Sequence, residues 1–487
     1  MYDQSPTTLL LIGTTLLAFV FFLWGINSWK FAFAGDEWVF YNYAKYLATS
    51  PHIVNPLSFN GVIHTHSPLA SLYQALFMVL LGPTNFAWRL SNVILIFPLS
   101  FFFYRWLRLS FPKEIAVLST ILLQTSFYLA NFFKIGYDNP QSLTLFVICL
   151  YLVTLFGKKP TKKIGLWMGI TLGVSFYIYL GPLFPLFLWP FLLPLRNHLQ
   201  QKPIQKILGL LIGTYVLLLI PLLFQISSLH RILIALGQPN KFGLNPTVWR
   251  DFLLFYQNHD AFYDHFVVGP YLDRITELFC FIGSVIVLFN VKQRAYLLLL
   301  LSYLSTVIVI GSTSPDWASP ITRGIFFLPY GFVFAGIGLS FVYKKMKHET
   351  LALTGCWVII LMIVTLNAYQ SQIGVFTDKN SAGYTGMALI IKSLEEAQTA
   401  HESILIVISP SLRINYYIWN LPSMVQAYDL GVVRYRIIQP SELSCPTNKT
   451  TILFFQRDSE AKKEIMQLKC GKTMYHTTML SPDTKYY

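Results

Sequence analysis

Charged side chains are scarce in this 487-residue chain. Asp, Glu, Lys and Arg together make up 12% of the residues, whereas hydrophobic residues make up 54%. This composition excludes a soluble globular protein of this length. We therefore predict an α-helical polytopic membrane protein.

Apolar stretches long enough to cross about 30 Å of hydrocarbon recur as far as residue 370. We predict about eleven transmembrane helices. They are Thr8–Ile26, Trp88–Leu109, Ile115–Phe132, Leu143–Phe156, Ile164–Leu180, Leu183–Leu195, Ile207–Ile226, Ile275–Phe289, Tyr296–Ile310, Gly324–Tyr343 and Leu351–Tyr369. Four prolines between residues 182 and 194 break helices, so the elements on either side of Gly181 are expected to be bent or re-entrant.

Acidic residues are fewer than basic ones, 22 against 36, and the formal net charge is +14. The Lys and Arg residues concentrate in alternate loops, which indicates a cytoplasmic N-terminus and an extracytoplasmic first loop and C-terminal tail. We attribute the excess charge to this topology and not to nucleic-acid binding. The expected location is the cell membrane, most simply a bacterial inner membrane, with multiple passes.

Several further features are absent or rare. The first apolar segment has no basic region before it and no convincing cleavage site after it, so we expect it to be retained as a span. Cysteine is rare, with five residues. Cys149, Cys280 and Cys356 lie in apolar spans, whereas Cys445 and Cys470 lie in the tail, where a disulfide between them is an open possibility.

The composition changes after Tyr369. We predict two domains, a transmembrane domain over residues 1–370 and an extracytoplasmic α/β domain over residues 371–487. In the second domain, Met387–Ala400 has helical periodicity, and Ser403–Ser409 and Thr451–Phe455 are typical of short buried strands. No chemistry is evident in this part of the chain.

The pair Asp36-Glu37 follows the first span, and Asp3 is the only other acidic residue among the first sixty. Adjacent carboxylates at a bilayer edge are costly unless they have an electrostatic or proton-transfer role. Asp36 could also cap the amphipathic helix predicted over Asp36–Ala48. A second helix is predicted to begin at Pro68, and both helices are expected to lie along the membrane surface.

Two later external loops carry further polar groups. Lys134, Tyr137 and Asp138 lie at the start of the fourth span, although Asp-Asn-Pro is also a good turn sequence. The loop from His230 to Arg274, which contains His259 and Tyr263, has the composition of a lid over an amphiphilic substrate.

The order of these motifs resembles that of a known superfamily. Asp36-Glu37 is followed by His66-Ser67-Pro68-Leu69, by Leu81-Gly82 and by Ala87-Trp88-Arg89-Leu90 at the second span. This order resembles the GT-C glycosyltransferases of the protein O-mannosyltransferase and aminoarabinose-transferase type. Such enzymes take a sugar from a polyprenyl phosphate or diphosphate at the outer membrane face and pass it to an acceptor. The family often has two prolines where this chain has Ser67-Pro68.

The resemblance implies that Asp36 is the catalytic base and that Asp138 matches a second acidic position. The chemistry agrees, because an acceptor that attacks an anomeric carbon must lose a proton. Glu37 would position the acceptor or adjust the pKa of Asp36. Asp138 would position the acceptor or a divalent cation.

The departing phosphate requires cationic partners. Lys134, Arg89 and Arg323 are the candidates, although either arginine could instead be an interfacial anchor. His66, Tyr137, His259 and Tyr263 are candidates for the acceptor site or its lid. We assign no metal site, because His64 and His66 lack a nearby third ligand. We assign no cofactor either, but the sequence is compatible with a bound divalent cation.

The expected partners are a polyprenyl-phosphate sugar donor, membrane lipids, and a glycan, lipid or protein acceptor. Two other functions stay open at this point. An oligosaccharide ligase or polymerase would use lipid-linked sugars and a large late loop such as that from His230 to Arg274. A transporter or flippase usually has charged residues at mid-membrane in repeated halves, and the sequence shows no repeat.

Overall fold

The structure is a computed structural model and describes most of the chain. The described residues are 6–27, 37–50, 54–59, 61–62, 66–224, 271–313, 321–345, 349–370, 386–400, 402–410, 421–427, 434–446, 448–455, 458–468 and 475–480. Asp36, His259 and Tyr263 lie outside these ranges, as do His64 and most of the predicted lid.

The described part of residues 1–370 is helical. Its α-helices are α1 (Pro6–Leu23), α2 (Glu37–Thr49), α3 (Pro68–Leu81), α4 (Asn85–Val93), α5 (Ile96–Arg108), α6 (Lys113–Thr125), α7 (Phe127–Phe133), α8 (Asn139–Lys158), α9 (Lys162–Ser175), α10 (Phe184–Leu188), α11 (Lys202–Leu223), α12 (Arg274–Phe289), α13 (Arg294–Thr313), α14 (Ile321–Gly324), α15 (Leu328–Lys345) and α16 (Glu349–Tyr369). Three 3-10 helices accompany them, over Gly181–Leu183, Trp189–His198 and Ile325–Phe327.

The membrane-spanning character is clear, but the count of eleven is not confirmed. Within the described ranges, five helices are long and apolar enough to cross a bilayer, and six if α6 and α7 form one span. Other predicted spans are shorter or interrupted. Residues 181–198 form α10 between two 3-10 helices, in agreement with the helix breaks expected from the prolines there.

The span predicted from Trp88 is confirmed, since α4 and α5 together form one apolar stretch over Asn85–Arg108 that is long enough to cross a bilayer. The next one bends by 55° between α6 and α7. Ser126 lies at this bend in extended conformation, and its hydroxyl caps α7 by accepting from the Leu129 amide.

A chain of buried hydrogen bonds holds the start of α7 in place. Asn367 Oδ1 of α16 accepts a hydrogen bond from the Phe127 amide at 2.8 Å, and Asn367 Nδ2 donates to Asp273 Oδ2 at 2.9 Å. Asp273 also caps α12 through the amides of Ile275 and Thr276. An otherwise orphaned amide at the bend is thereby satisfied, which is required in an apolar bundle.

The two helices predicted in the first external loop are confirmed as α2 and α3, which pack together. Ser67 caps α3 by accepting from the Leu69 amide at 3.1 Å, and Pro68 is the first helical residue. Proline is favoured there because that position needs no amide donor.

The C-terminal part contains a four-stranded parallel sheet. Its elements are α17 (Gly386–Ala400), β1 (Ser403–Val407), α18 (Leu421–Ala427), β2 (Tyr435–Ile438), a 3-10 helix (Pro440–Glu442), β3 (Thr450–Phe455), α19 (Ser459–Gln467) and β4 (Tyr475–Leu480). The strand order is β2-β1-β3-β4, with Leu405 opposite Arg436 and Ile452. The predicted helix and both predicted strands are confirmed; the predicted domain boundary lies outside the described residues. Cys445 is disulfide-bonded, and Cys470 is not among the described residues.

Candidate active site

The segment from Lys134 to Asp138 joins α7 to α8 and is held by side chains from two other helices. Asn92 of α4 donates through Nδ2 to the carbonyl oxygens of Ile135 and Tyr137, both at 2.8 Å. Gln74 of α3 donates to the Gly136 carbonyl at 2.7 Å. These bonds satisfy buried backbone groups that no regular helix could pair, so they fix the path of the loop.

Gly136 is required by packing against Trp88. A Cβ atom added at Gly136 would come within 1.9 Å of the Trp88 ring, far inside van der Waals contact. Trp88 is itself fully buried and donates through Nε1 to Gln74 Oε1 at 3.0 Å. The loop and α4 therefore meet at a contact that only glycine allows.

Glu37 and Arg89 form a buried ion pair at the first residue of α2. Glu37 Oε1 accepts from Arg89 Nη2 at 2.9 Å and from the Gly136 amide at 2.8 Å. Each side chain is 1% exposed. Arg89 also donates to the Ile26 carbonyl at 3.3 Å, next to the end of α1. One carboxylate oxygen thus joins α2, α4 and the loop before α8, a charge-assisted arrangement.

Lys134 is fully buried beside this pair. Burial disfavours its charged form, and the positive charge of Arg89 adds to the effect, so the pKa of Lys134 falls to about 7. Near neutral pH this amine therefore exchanges between a cation and a neutral base. Residues with such shifted pKa values are concentrated at functional sites.

The side chain of Asp138 forms a polar contact with the His66 ring. The two atoms, Asp138 Oδ2 and His66 Nδ1, are 3.1 Å apart. Asp138 stands at the N-cap position of α8, but its side chain makes no capping hydrogen bond. Its other oxygen, Oδ1, is buried and has no hydrogen-bond partner among the described residues. The simple interpretation of Asp138 as a helix cap or turn residue leaves this geometry unexplained.

Aromatic rings surround the Asp138–His66 pair. Phe40 of α2 packs edge-on against the His66 ring at 4.9 Å and against Tyr137 at 4.7 Å between ring centroids. The Tyr179 ring lies nearly parallel to His66, with the centroids 6.4 Å apart. His66 remains partly open, with its side chain 23% exposed. The His66 ring is thus held in orientation by these aromatic side chains, while part of its surface stays exposed.

The structure brings together six predicted site residues, with Tyr137 beside the Asp138–His66 pair. Glu37, Arg89 and Lys134 form one group, and Asp138 and His66 form the next, linked by the segment 134–138. Arg323 differs, because its guanidinium donates to the carbonyl and hydroxyl oxygens of Thr313 at the end of α13. Within the described ranges, no hydrogen bond joins Arg323 to either group.

The described residues contain no group of three His, Cys, Asp or Glu side chains that could hold a metal ion. His66 and Asp138 provide two such side chains. A divalent cation held by this pair would take its remaining ligands from elsewhere, such as the oxygens of a phosphate group.

Sequence reasoning missed Gln74 and Asn92 as parts of the site. Both are buried amides, 1% and 0% exposed. A buried amide needs a hydrogen-bond partner, so a polar amide within an apolar helix is a signal that could have identified both.

A family model matches residues 65–224 of the chain. It describes the dolichyl-phosphate-mannose-protein mannosyltransferases. The match includes Arg89, Lys134 and Asp138 and covers about a third of the sequence. No curated protein sequence matches the chain.

Solved structures share the fold at low sequence identity. The apo oligosaccharyltransferase of Archaeoglobus fulgidus superposes with a TM-score of 0.54 at 13% identity, covering 92% of this chain and 66% of that one. ArnT from Cupriavidus metallidurans in the apo state gives 0.56 at 11% identity, covering 88% and 89%.

A further structure is the archaeal oligosaccharyltransferase AglB from Archaeoglobus fulgidus in complex with an inhibitory peptide and a dolichol-phosphate. It has a TM-score of 0.53 at 13% identity and covers 87% of this chain. The present chain spans only 64% of that protein's length. The chain therefore shares its fold with these structures and, over residues 65–224, matches the family model of the dolichyl-phosphate-mannose-protein mannosyltransferases.

Proposed function

We propose that the protein transfers a sugar from a polyprenyl-phosphate donor to an acceptor at the outer face of the membrane. The observation that carries the proposal is the buried group of Glu37, Arg89 and Lys134 beside the Asp138–His66 pair. Burying several ionisable groups at one end of an apolar bundle is costly, and proteins retain such groups mainly where they have a function. Asp36 is joined to this group by its peptide bond to Glu37.

The proposed reaction is a direct displacement. Asp36 takes the proton of an acceptor hydroxyl or amine, and the acceptor atom forms a bond to the anomeric carbon. The bond between that carbon and the phosphate oxygen breaks, and its electron pair leaves with the polyprenyl phosphate. The proton then resides on the Asp36 carboxyl group.

The cations have two proposed tasks. Lys134, with its pKa near 7, is a donor-phosphate ligand whose charge increases as the anion approaches. Arg89 is already bound to Glu37. We infer that the positive charge of Arg89 stabilises the negative charge of the donor phosphate, while Glu37 holds the guanidinium and the Gly136 amide in place. Arg323 remains a candidate for the lipid phosphate at the membrane boundary.

The Asp138–His66 pair is proposed to orient the acceptor. The uncommitted Asp138 Oδ1 can accept a hydrogen bond from an acceptor hydroxyl. His66 and the neighbouring Tyr137 ring form the adjoining wall. His259 and Tyr263 keep their proposed role in a lid, where they would exclude water from the displacement.

The proposal is tested first in cells. A deletion strain should lack one glycan or glycolipid of the cell envelope and accumulate the corresponding polyprenyl-phosphate sugar, both measured by mass spectrometry. Complementation with the wild-type gene or with Glu114→Gln should restore the product, because Glu114 is exposed at the start of α6. Complementation with Asp36→Asn should not. An unchanged envelope in the deletion strain would contradict the proposal.

A further inference from the structure

A cavity lies at the end of the bundle opposite the proposed transfer site. Its volume is about 670 Å³, within the range of small-ligand sites. It is lined where α8, α13 and the 3-10 helix Trp189–His198 converge, and Lys158 and Arg294 are part of its wall. Helix α8 has 20 residues, so its rise separates this cavity from Asp138 by about 30 Å. The loops at this end are those predicted to be cytoplasmic.

The charged side chains of the lining are cations, Lys158 and Arg294. Lys158 and Arg294 are close enough for their charges to repel each other. Lys158 donates to the Leu109 carbonyl. Arg294 has no hydrogen bond or ion pair with any residue that the structure describes. No carboxylate is among the lining residues.

Two neutral side chains add donors to the same wall. Thr154 is 4% exposed, and its oxygen accepts from Trp106 Nε1 at 3.1 Å, which leaves the hydroxyl proton for another acceptor. Gln201 Nε2 lies 3.1 Å from His198 Nδ1. When the amide donates to Nδ1, the proton of the neutral imidazole is on Nε2 and can be given to a ligand. An anion in the cavity would relieve the repulsion between the two cations.

The remaining wall is apolar and includes Phe191, Leu195 and Leu298. A free inorganic anion would leave this surface exposed to water. A lipid head group has a charged phosphate with hydrocarbon directly attached, which matches both kinds of wall. The cavity also lies at the C-terminal end of α8 and the N-terminal end of α13, two helices long and apolar enough to cross a bilayer. Basic pockets between transmembrane helices on the cytoplasmic side bind anionic lipid head groups in this way.

We propose that this cavity binds the phosphate head group of an anionic membrane phospholipid, held by Lys158, Arg294, Thr154 and His198. The bound lipid bridges the ends of α8 and α13 and is separate from the sugar-transfer site. The proposal is therefore independent of the proposed function.

The test uses the full-length protein in phosphatidylcholine nanodiscs titrated with phosphatidylglycerol. Bound lipid is measured by native mass spectrometry after release from the nanodisc. Arg294→Gln and Lys158→Gln should each weaken retention of phosphatidylglycerol about fivefold, in line with the usual contribution of one cation to an anionic lipid. Arg294→Lys should retain most of the affinity. Lys163→Gln is the matched control, because Lys163 is exposed at the start of α9 on the same side but does not line the cavity.

Three results would overturn the proposal. One is equal retention of phosphatidylglycerol by both cavity variants and the Lys163 control. Another is equal retention of phosphatidylcholine and phosphatidylglycerol by the wild type. The last result concerns the source of the anion. In that case, inorganic phosphate in the buffer would displace phosphatidylglycerol and raise the melting temperature of the protein as much as the lipid does. The occupant would then be free phosphate and not a lipid head group.

Discussion

Replacing Glu37 by Gln tests whether the buried ion pair organises the site. Gln keeps the size of the side chain and an oxygen that can accept from the Gly136 amide, so the substitution mainly removes charge. Both partners are 1% exposed, and their charged atoms are 2.9 Å apart. Breaking a buried pair by removing one charge costs about 3–5 kcal/mol, because the other charge stays buried without its counter-ion. We expect a loss of this size in the free energy of unfolding.

A double-mutant cycle isolates the pairwise contribution. Arg89→Met removes the guanidinium and keeps an apolar chain of similar length. In the Glu37→Gln/Arg89→Met protein no charge of this pair remains buried, so the double variant should be more stable than the sum of the single losses predicts. We expect a coupling energy within about 0.5–3 kcal/mol, the range measured for residues in direct contact.

The assay is unfolding of the purified protein in mixed micelles with increasing fractions of denaturing detergent, followed by tryptophan fluorescence. Glu114→Gln, which removes an exposed carboxylate, provides the baseline and should change stability by less than about 0.5 kcal/mol. A Glu37→Gln protein as stable as this control would refute the reasoning. So would single losses that simply add in the double variant.

Four further predictions concern the neighbouring residues Lys134, Gly136 and Asp138. The lowered Lys134 pKa predicts that kcat/KM for the donor falls as pH rises through about 7, because the free enzyme loses this cation. Lys134→Arg should remove this fall, because arginine stays charged. An identical pH profile in both proteins would contradict the prediction. Between about pH 7 and pH 10.4, the folded protein binds fewer protons at Lys134 than the unfolded chain does. Lys134 therefore makes the free energy of unfolding rise with pH in this window. The unfolding midpoint of the wild type, compared with that of Lys134→Met over the same pH range, measures this effect. Gly136→Ala should destabilise the protein by about 1–3 kcal/mol, because the added methyl group would overlap the Trp88 ring. Gly209→Ala is the control and should be neutral, because a Cβ atom there meets nothing within 4 Å. Equal melting temperatures for the two variants would be inconsistent with the close approach of Gly136 to the Trp88 ring. Asp138→Asn should reduce transfer with little change in melting temperature, and an unchanged rate and acceptor affinity would remove Asp138 from the site.

Local sequence signals predicted the elements around the site well. The helix beginning at Glu37 and the one beginning at Pro68 follow from amphipathic periodicity and from a Ser-Pro start, both of which are properties of neighbouring residues. The strands Ser403–Val407 and Thr450–Phe455 are predictable for the same reason. By contrast, the bend at Ser126 depends on Asn367, which is 240 residues away from Phe127 in the chain.

The pairing of site residues could not be predicted in the same way. Glu37 and Arg89 are separated by 52 positions, and His66 and Asp138 by 72. Both residues of each pair were candidates from the sequence, but which cation meets which carboxylate is decided by how α2, α4 and the loop before α8 pack. The backbone bonds from Gln74 and Asn92 are likewise consequences of packing and have no local motif.

The most direct test of the central claim is the rate of sugar transfer by purified Asp36→Asn. The protein is reconstituted in nanodiscs with the polyprenyl-phosphate sugar identified in the deletion strain, and release of polyprenyl phosphate is measured beside the wild type and Glu114→Gln. Loss of a general base is expected to lower kcat by about 10²- to 10⁴-fold, while the melting temperature stays at the wild-type value. Wild-type turnover by Asp36→Asn would contradict the assignment of Asp36 as the base.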